Sequence, residues 1–210
     1  MKYEKIDLFP TPLLKISRVI SEIQKADSLS FIGAEQKTLF GTNGLVMSDG
    51  GVSTYPIDDM ILDTLQNKIP SCSKLKNTIQ GHIESYCKHV GINMKRIDNS
   101  WISIQCNGSR LNKHIHGRSA VSGVFYIKKL NGDQNTFFYS PNPYVEFLDR
   151  NKMYTKYTEQ RVSVPCDVGD MILFPSWLFH DNDTIISDEE RIILSFNTHS
   201  ECGVRIVAIP

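Results

Sequence analysis

The feature that most constrains the fold is a change near residue 100, where the chain becomes a series of short apolar stretches. Turn-forming residues such as Asn107-Gly108 and Gly169-Asp170 separate these stretches, which is typical of antiparallel β-structure. The predicted strands cover residues 101–106, 121–128, 136–140, 161–164, 171–174, 191–198 and 204–209. This pattern favours a mainly β fold of two sheets, a jelly roll.

The part of the chain before residue 100 is predicted to contain helices. Apolar residues recur at helical spacing over residues 57–69 and 74–90, with Gly91 as a plausible C-cap of the second helix. The first 20 residues are expected to be extended, and residues 40–56 to form a loop or a short hairpin. We therefore expect one structural domain, in which a helical flank (residues 1–100) packs on a barrel (residues 101–210).

Composition excludes several classes of protein. The 23 Lys and Arg residues balance 23 Asp and Glu residues, so nothing favours a nucleic-acid or membrane-surface partner. No apolar run approaches the roughly 20 residues that a membrane helix needs, and the first residues lack a signal-peptide pattern. The 5 cysteines form no Cys-x-x-Cys pair, which argues against a thiolate zinc site. We expect a cytoplasmic protein with reduced thiols.

Three histidines in the strand-rich half are candidate metal ligands. His114 and His116 are two residues apart, so both would lie on one face of a strand, and His180 follows a later strand. Neutral imidazoles bind iron, zinc, copper and nickel, and three ligands on one side leave positions open for substrate and oxygen. Two other interpretations remain: a His-x-His pair without function on an exposed edge strand, and a carboxylate ligand from Asp181 or Asp183.

Another set of polar residues shares one face of a predicted strand. Arg191, Ser195 and Asn197 have the same parity, so a guanidinium, a hydroxyl and an amide would point in one direction. A guanidinium in an apolar strand needs an anion, and its planar fork matches a carboxylate. The alternative is a surface salt bridge to Glu189 or Glu190.

In this order, the motifs resemble those of the 2-oxoglutarate- and Fe(II)-dependent oxygenases. The similarity is greatest to a prolyl-hydroxylase-like branch with a His-x-His motif, found in bacteria and marine phages. The matching motifs are His114-Ile-His116, Ser122-Gly-Val-Phe-Tyr126, Gly169-Asp170 through Phe-Pro-Ser to His180, and Arg191 to Asn197. The resemblance covers about half of the chain and implies a double-stranded β-helix. It also implies a hydroxylase that uses Fe(II) and 2-oxoglutarate and releases succinate and CO2.

The resemblance also implies roles for individual residues. It assigns Fe(II) binding to His114, His116 and His180, and 2-oxoglutarate binding to Arg191, Ser195, Tyr126 and Asn197. No further side chain is expected to act as a catalytic acid or base. The superfamily more often has Asp or Glu at the position of His116, so this residue is a departure from the common triad.

Two other functions remain open at the level of sequence. One is a three-histidine dioxygenase of the cupin type, which would form no succinate. The other is a jelly-roll binding or virion-associated protein whose metal is structural or absent; a phage-encoded chain would reside in the host cytoplasm. For an enzyme, the substrate is expected to be a peptide, an amino acid or a small metabolite. Residues 142–160 form a long, aromatic and charged loop that is a candidate for substrate contact.

Overall fold

The computed structural model describes residues 4, 9–40, 50–130, 134–144, 155 and 157–199. The helices are α1 (Glu22–Ala34), α2 (Gln36–Phe40), α3 (Ile61–Lys68) and α4 (Leu75–Val90), with a 3-10 turn at Pro70–Cys72 between the last two. The first five strands are β1 (Leu14–Ile16), β2 (Val52–Ser53), β3 (Ile97–Gln105), β4 (Leu111–His114) and β5 (Ser119–Lys128). The next five are β6 (Phe137–Tyr139), β7 (Arg161–Ser163), β8 (Met171–Pro175), β9 (His180–Asn182) and β10 (Arg191–His199).

The strands form two antiparallel sheets. The larger sheet has the order β1-β8-β5-β10-β3-β2, and the smaller has the order β4-β9-β6-β7. A small apolar cluster joins them, in which Phe138 of β6 packs with Val124, Phe174 and Ile193 of the larger sheet. The predicted mainly β architecture of two sheets is therefore confirmed.

The helical flank packs on the outer face of the larger sheet. Ile61, Leu65 and Ile79 of α3 and α4 are fully buried in one cluster with Leu194 and Phe196 of β10. Successive residues of a strand point to opposite faces. The residues of β10 that alternate with Leu194 and Phe196 therefore face the space between the two sheets, where the polar residues of this strand lie.

Gly123 of β5 permits this packing at one close approach. A Cβ atom at this position would lie 2.1 Å from the ring of Phe196, which is far inside van der Waals contact. The Ser-Gly-Val motif thus has a structural reason, because the aromatic ring on the neighbouring strand occupies the volume that any side chain would need.

The predicted elements agree with the structure in part. Six of the predicted strands are present, and the seventh, at 204–209, lies outside the described residues. The predicted helix at 57–69 was wrong at its start: α3 begins at Ile61, because the Asp58 carboxylate binds the backbone N–H of Met60 and the hydroxyl of Thr64, forming a turn there. Gly91 ends α4 in the left-handed conformation, as predicted.

The sequence prediction also omitted α1 and α2. A capping box at Ser21 and Gln24 marks the start of α1, but the helix itself has no strong apolar stripe that would have indicated it. None of the described helices is long and apolar enough to cross a bilayer. The division of the chain at residue 100 stays a prediction.

Candidate metal centre

Three histidines converge between the two sheets. The potential ligand atoms of His114, His116 and His180 all lie within 4.8 Å of one another, a spacing at which they could hold one metal ion. His114 of β4 pairs directly with His180 of β9, which brings their rings to 4.2 Å between centroids. β4 ends at His114, and His116 is held just beyond it by a backbone hydrogen bond from its N–H to the carbonyl of Ser176, 2.9 Å.

Backbone carbonyls fix the orientation of two of these imidazoles. The Nδ1 atom of His114 is 2.7 Å from the carbonyl oxygen of Asn112, and that of His180 is 2.9 Å from the carbonyl oxygen of Leu178. A carbonyl oxygen only accepts hydrogen bonds, so in each ring Nδ1 carries the proton. Nε2 then has a free lone pair, which is the state that a metal ion requires.

Burial disfavours the addition of a second proton to the rings of His116 and His180. Burial, together with the neighbouring His114, lowers the pKa of His116 to about 4 and that of His180 to about 3. Phe174 packs against His180, with ring centroids 4.7 Å apart, and contributes to this burial. At neutral pH both imidazoles are therefore uncharged and able to act as ligands.

The carboxylates that follow His180 have other partners. Asp181 accepts a 2.6 Å hydrogen bond from Arg161 and a second one, 2.5 Å, from the hydroxyl of Tyr139. Asp183 binds the same guanidinium at 2.7 Å. Among the described residues, no group of metal-ligating side chains includes either carboxylate, so the alternative with an Asp ligand finds no support.

A cavity of about 360 Å³ opens beside the histidines and is lined by both sheets. Two pairings between β10 and β3 define its ends: Arg191 is opposite Gln105, and Ser195 is opposite Trp101. These pairings are four residues apart, or roughly 13 Å along the strand. One end therefore carries a guanidinium, and the other has an aromatic wall in which Tyr55 packs edge-on against Trp101, with ring centroids 5.3 Å apart.

Arg191 is a buried cation at the first of these ends. Its residue is 1% exposed, and its guanidinium donates to the carbonyl of Gln134 at 2.9 Å, to Oε1 of Gln105 and to Oγ1 of Thr136 at 3.4 Å. All three acceptors are neutral, and no described carboxylate forms an ion pair with Arg191. Burial accordingly lowers its pKa. The alternative of a surface salt bridge is wrong, because Arg191 is buried and neither Glu189 nor Glu190 is among its described partners; Glu190 lies 3.7 Å from Lys128.

The other residues assigned to the cosubstrate are placed at different depths. Ser195 and Asn197 line the cavity on the same face as Arg191, but toward the end that carries His116. Tyr126 is not among the lining residues; its hydroxyl lies 2.7 Å from that of Thr136, which does line the cavity. Tyr126 therefore lies behind the cavity wall, where it contacts two lining residues: Thr136 through its hydroxyl, and Arg191, whose guanidinium carbon lies 5.4 Å from the centroid of the Tyr126 ring.

Gln105 and Thr136 are lining residues that the sequence prediction missed. Gln105 accepts from Arg191, and its Nε2 donates to Oδ1 of Asn182 at 3.1 Å. Because Trp101, Ser103 and Gln105 alternate along β3, their shared parity was the available signal, but a lone glutamine in a strand carries little information without its neighbour. Thr136 directly precedes β6, at the start of the predicted strand at 136–140, but no pattern indicated that its side chain would line the site.

Comparisons with known proteins agree with this geometry. Residues 99–197 match the family model described as a putative 2OG-Fe(II) oxygenase. HygX from Streptomyces hygroscopicus, solved with nickel and 2-oxoglutarate bound, is 10% identical with a TM-score of 0.60, over 91% of this chain and 83% of its own. A viral collagen prolyl hydroxylase from Paramecium bursaria Chlorella virus-1, solved with 2-oxoglutarate, is 13% identical with a TM-score of 0.55, over 90% and 96%. The search of curated proteins finds no match.

A Pseudomonas putida prolyl-4-hydroxylase has the same fold, with 13% identity and a TM-score of 0.52 over 90% of this chain and 94% of its own. At these identities the structures show the fold alone, which is the double-stranded β-helix. The family-model match, not the likeness to these structures, supplies the class of protein: an oxygenase dependent on 2-oxoglutarate, with Fe(II) and 2-oxoglutarate as its cofactors. This match covers residues 99–197, just under half of the chain.

Proposed function

We propose that the protein hydroxylates a peptide, an amino acid or a small metabolite, and that it converts 2-oxoglutarate to succinate and CO2 in the process. The observation that carries this proposal is the presence of two complementary groups in one cavity. Three imidazoles bring their ring nitrogens together at one place, and the Arg191 guanidinium, buried without a described carboxylate, requires an anion at another.

In this proposal, His114, His116 and His180 hold Fe(II). The fit rests on the donor set: two of the rings have Nδ1 bound to carbonyl oxygens, so that Nε2 is available, and burial disfavours protonation of His180 and His116. When bound, Fe(II) together with 2-oxoglutarate would activate O2, the oxidant that breaks the substrate C–H bond and places one oxygen atom in the product and the other in succinate. The work of the side chains is to bind, to orient and to exclude water.

The distal carboxylate of 2-oxoglutarate is assigned to Arg191. The guanidinium has five N–H donors, and its three contacts leave one donor on each terminal nitrogen. Two such donors match the two oxygens of a carboxylate. The end of the cavity at Arg191 and the histidines are close enough for a short dicarboxylate to span. Gln105, which holds Arg191, binds Asn182, and Asn182 is only two residues, or roughly 7 Å, from His180 on β9.

The substrate is assigned to the other end of the cavity. Tyr55 and Trp101 line this end, and the ring of Trp101 lies 6.0 Å from that of His116. A C–H group resting on this aromatic wall would be next to the metal, while 2-oxoglutarate would fill the end at Arg191. Residues 145–154 of the predicted substrate loop lie outside the described residues, so the role of this loop stays a prediction.

Anaerobic loading with Fe(II), followed by measurement of succinate, tests the proposal. We expect one iron per chain, and succinate formation that requires 2-oxoglutarate and O2. His180→Ala should abolish both, whereas His89→Ala, a change at an exposed histidine of α4, should preserve both. A three-histidine dioxygenase would oxidise substrate without succinate. A chain that binds no iron, or for which His180→Ala leaves iron binding unchanged, would refute the assignment.

A further inference from the structure

Three buried polar side chains form a hydrogen-bonded chain that ends at His116. Ser176 follows β8, Ser122 belongs to β5 and Asn197 to β10, so three separate segments each contribute one group. The hydroxyls of Ser176 and Ser122 are 2.7 Å apart, and Ser122 is 2.7 Å from the amide oxygen of Asn197. The amide nitrogen of Asn197 is 3.5 Å from Nδ1 of His116.

His116 differs from the other two histidines in what its Nδ1 contacts. His114 and His180 each donate to the carbonyl oxygen of the residue two positions earlier. Among the described residues, no backbone carbonyl contacts the ring of His116, and Asn197 is the group at its Nδ1. The orientation of this third imidazole thus depends on a side chain, which a mutation can remove, whereas the other two depend on the backbone.

The donors and acceptors in this series of hydrogen bonds can exchange roles. A metal ion on Nε2 requires the proton on Nδ1, and this proton needs an acceptor. A half-turn of the Asn197 amide, which exchanges its oxygen and nitrogen, puts Oδ1 at Nδ1 of His116 and lets Nδ2 donate to the hydroxyl of Ser122. Ser122 can then donate to Ser176, because a hydroxyl both donates and accepts. Every contact in the chain keeps a donor and an acceptor in this arrangement.

We infer that Asn197 is a positioning residue for His116, and that Ser122 and Ser176 hold its amide in place. This role differs from the contact with 2-oxoglutarate that the family resemblance implied for Asn197. It rests on the proposed function, since it presupposes a metal on His116. Ser176 acts on His116 in a second way, because its carbonyl accepts the backbone N–H of the same histidine at 2.9 Å. One short segment after β8 therefore fixes both the main chain and, through two side chains, the ring.

The test is the affinity of the whole chain for Co(II), measured by calorimetry and by the visible absorption of the bound ion. Asn197→Leu removes the acceptor and should weaken Co(II) binding by about 10- to 100-fold, the usual effect of losing the partner of a metal-bound histidine. Asn197→Asp keeps an acceptor of the same shape and should bind Co(II) at least as tightly as the unaltered chain. Ser122→Ala should have an intermediate effect.

Thr198→Val is the matched control. Thr198 is the next residue on β10, is equally buried, and points away from the site, where its hydroxyl bonds to the N–H and the carbonyl of Val121. Its removal should lower the melting temperature without changing the Kd for Co(II). In the Zn(II)-bound protein, long-range 1H–15N spectra should show the His116 proton on Nδ1.

The possible results distinguish a failure of the proposed function from a failure of the positioning role of Asn197. If the unaltered chain binds no Co(II), or if His180→Ala binds it normally, the proposed function fails. If the unaltered chain binds Co(II) and Asn197→Leu binds it with the same Kd, only the positioning role is overturned. Should Asn197→Leu not fold, Asn197→Asp decides, because a tenfold loss of affinity in that isosteric variant would also overturn the role.

Discussion

Replacement of Arg191 by alanine should weaken 2-oxoglutarate binding far more than any other single change distant from the histidines. The magnitude follows from its environment. The residue is 1% exposed, and its two remaining N–H donors would make charge-assisted hydrogen bonds to the distal carboxylate away from water. Truncating one partner of such a pair costs about 2–5 kcal/mol, which corresponds to roughly 30-fold to several-thousand-fold in Kd.

The assay is calorimetric titration of 2-oxoglutarate into the Co(II)-loaded protein without oxygen. Arg191→Ala should raise the Kd at least about 30-fold and leave Co(II) binding nearly unchanged, since the guanidinium is not a metal ligand. Arg191→Lys should be intermediate, because an ammonium cannot reproduce the planar fork. Lys128→Ala is the control for charge: it removes a cation from the same sheet at the surface, where Lys128 lies 3.7 Å from Glu190.

The reasoning would be refuted by a folded Arg191→Ala protein whose Kd for 2-oxoglutarate is within threefold of the unaltered value. It would also be refuted if Lys128→Ala had an equal effect, because the result would then reflect the net charge of the sheet. An exposed ion pair contributes roughly 0–1 kcal/mol, so the two variants should differ clearly.

Three further predictions concern the surroundings of the site. Gln105→Leu removes an acceptor of Arg191 and should raise the Kd for 2-oxoglutarate about tenfold, from a loss of roughly 1.5 kcal/mol; an unchanged Kd would argue against this role. The second prediction concerns Asp170, whose pKa is lowered overall. Burial alone would raise this pKa, but hydrogen bonds from two backbone N–H groups and the ion pair with Lys15 outweigh the effect of burial. The resulting stability is present above the ordinary value of 3.8 and is lost as the pH falls below it, so Asp170→Asn should cost about 1.5–3 kcal/mol in denaturant unfolding at pH 7 and flatten the acid dependence. His82→Ala should leave turnover within about threefold, and a 100-fold loss would place the helical flank in the site.

The strand-rich half could be predicted well because its local signals agree with its packing. In β10, Ile192, Leu194 and Phe196 face the helices, while Arg191 and Ser195 face the cavity together with the apolar Ile193, so the positions of the polar residues reflect two different environments. The helical flank was harder. α1 has no strong apolar stripe, and its capping box alone did not indicate a helix.

The residues of the candidate site could be predicted from the sequence, but their positions along the cavity could not. Parity placed Ser195 and Asn197 on the face of Arg191, yet parity says nothing about the distance along the strand. Four residues separate Arg191 from Ser195, and this rise places the serine at the end of the cavity near Trp101 and His116 instead of at the end of Arg191. Contacts between strands that are distant in the sequence, such as that of Gln105 with Asn182, required the register of both sheets.

The histidine in place of the usual carboxylate changes which groups carry the charge of the site. The imidazoles of His114, His116 and His180 contribute no negative charge, and the buried guanidinium of Arg191 adds a positive one, so these four residues offer no anion to a bound metal or to Arg191. In the proposed function, a dicarboxylate such as 2-oxoglutarate supplies both anions at once, one to the metal and one to Arg191. The residues around the histidines then have to fix the orientation and the tautomer of each ring, because a neutral ring binds a metal only if its proton is on the correct nitrogen. Two backbone carbonyls provide that direction at His114 and His180, and in our inference Asn197 provides it at His116, the position where the departure from the common triad occurs.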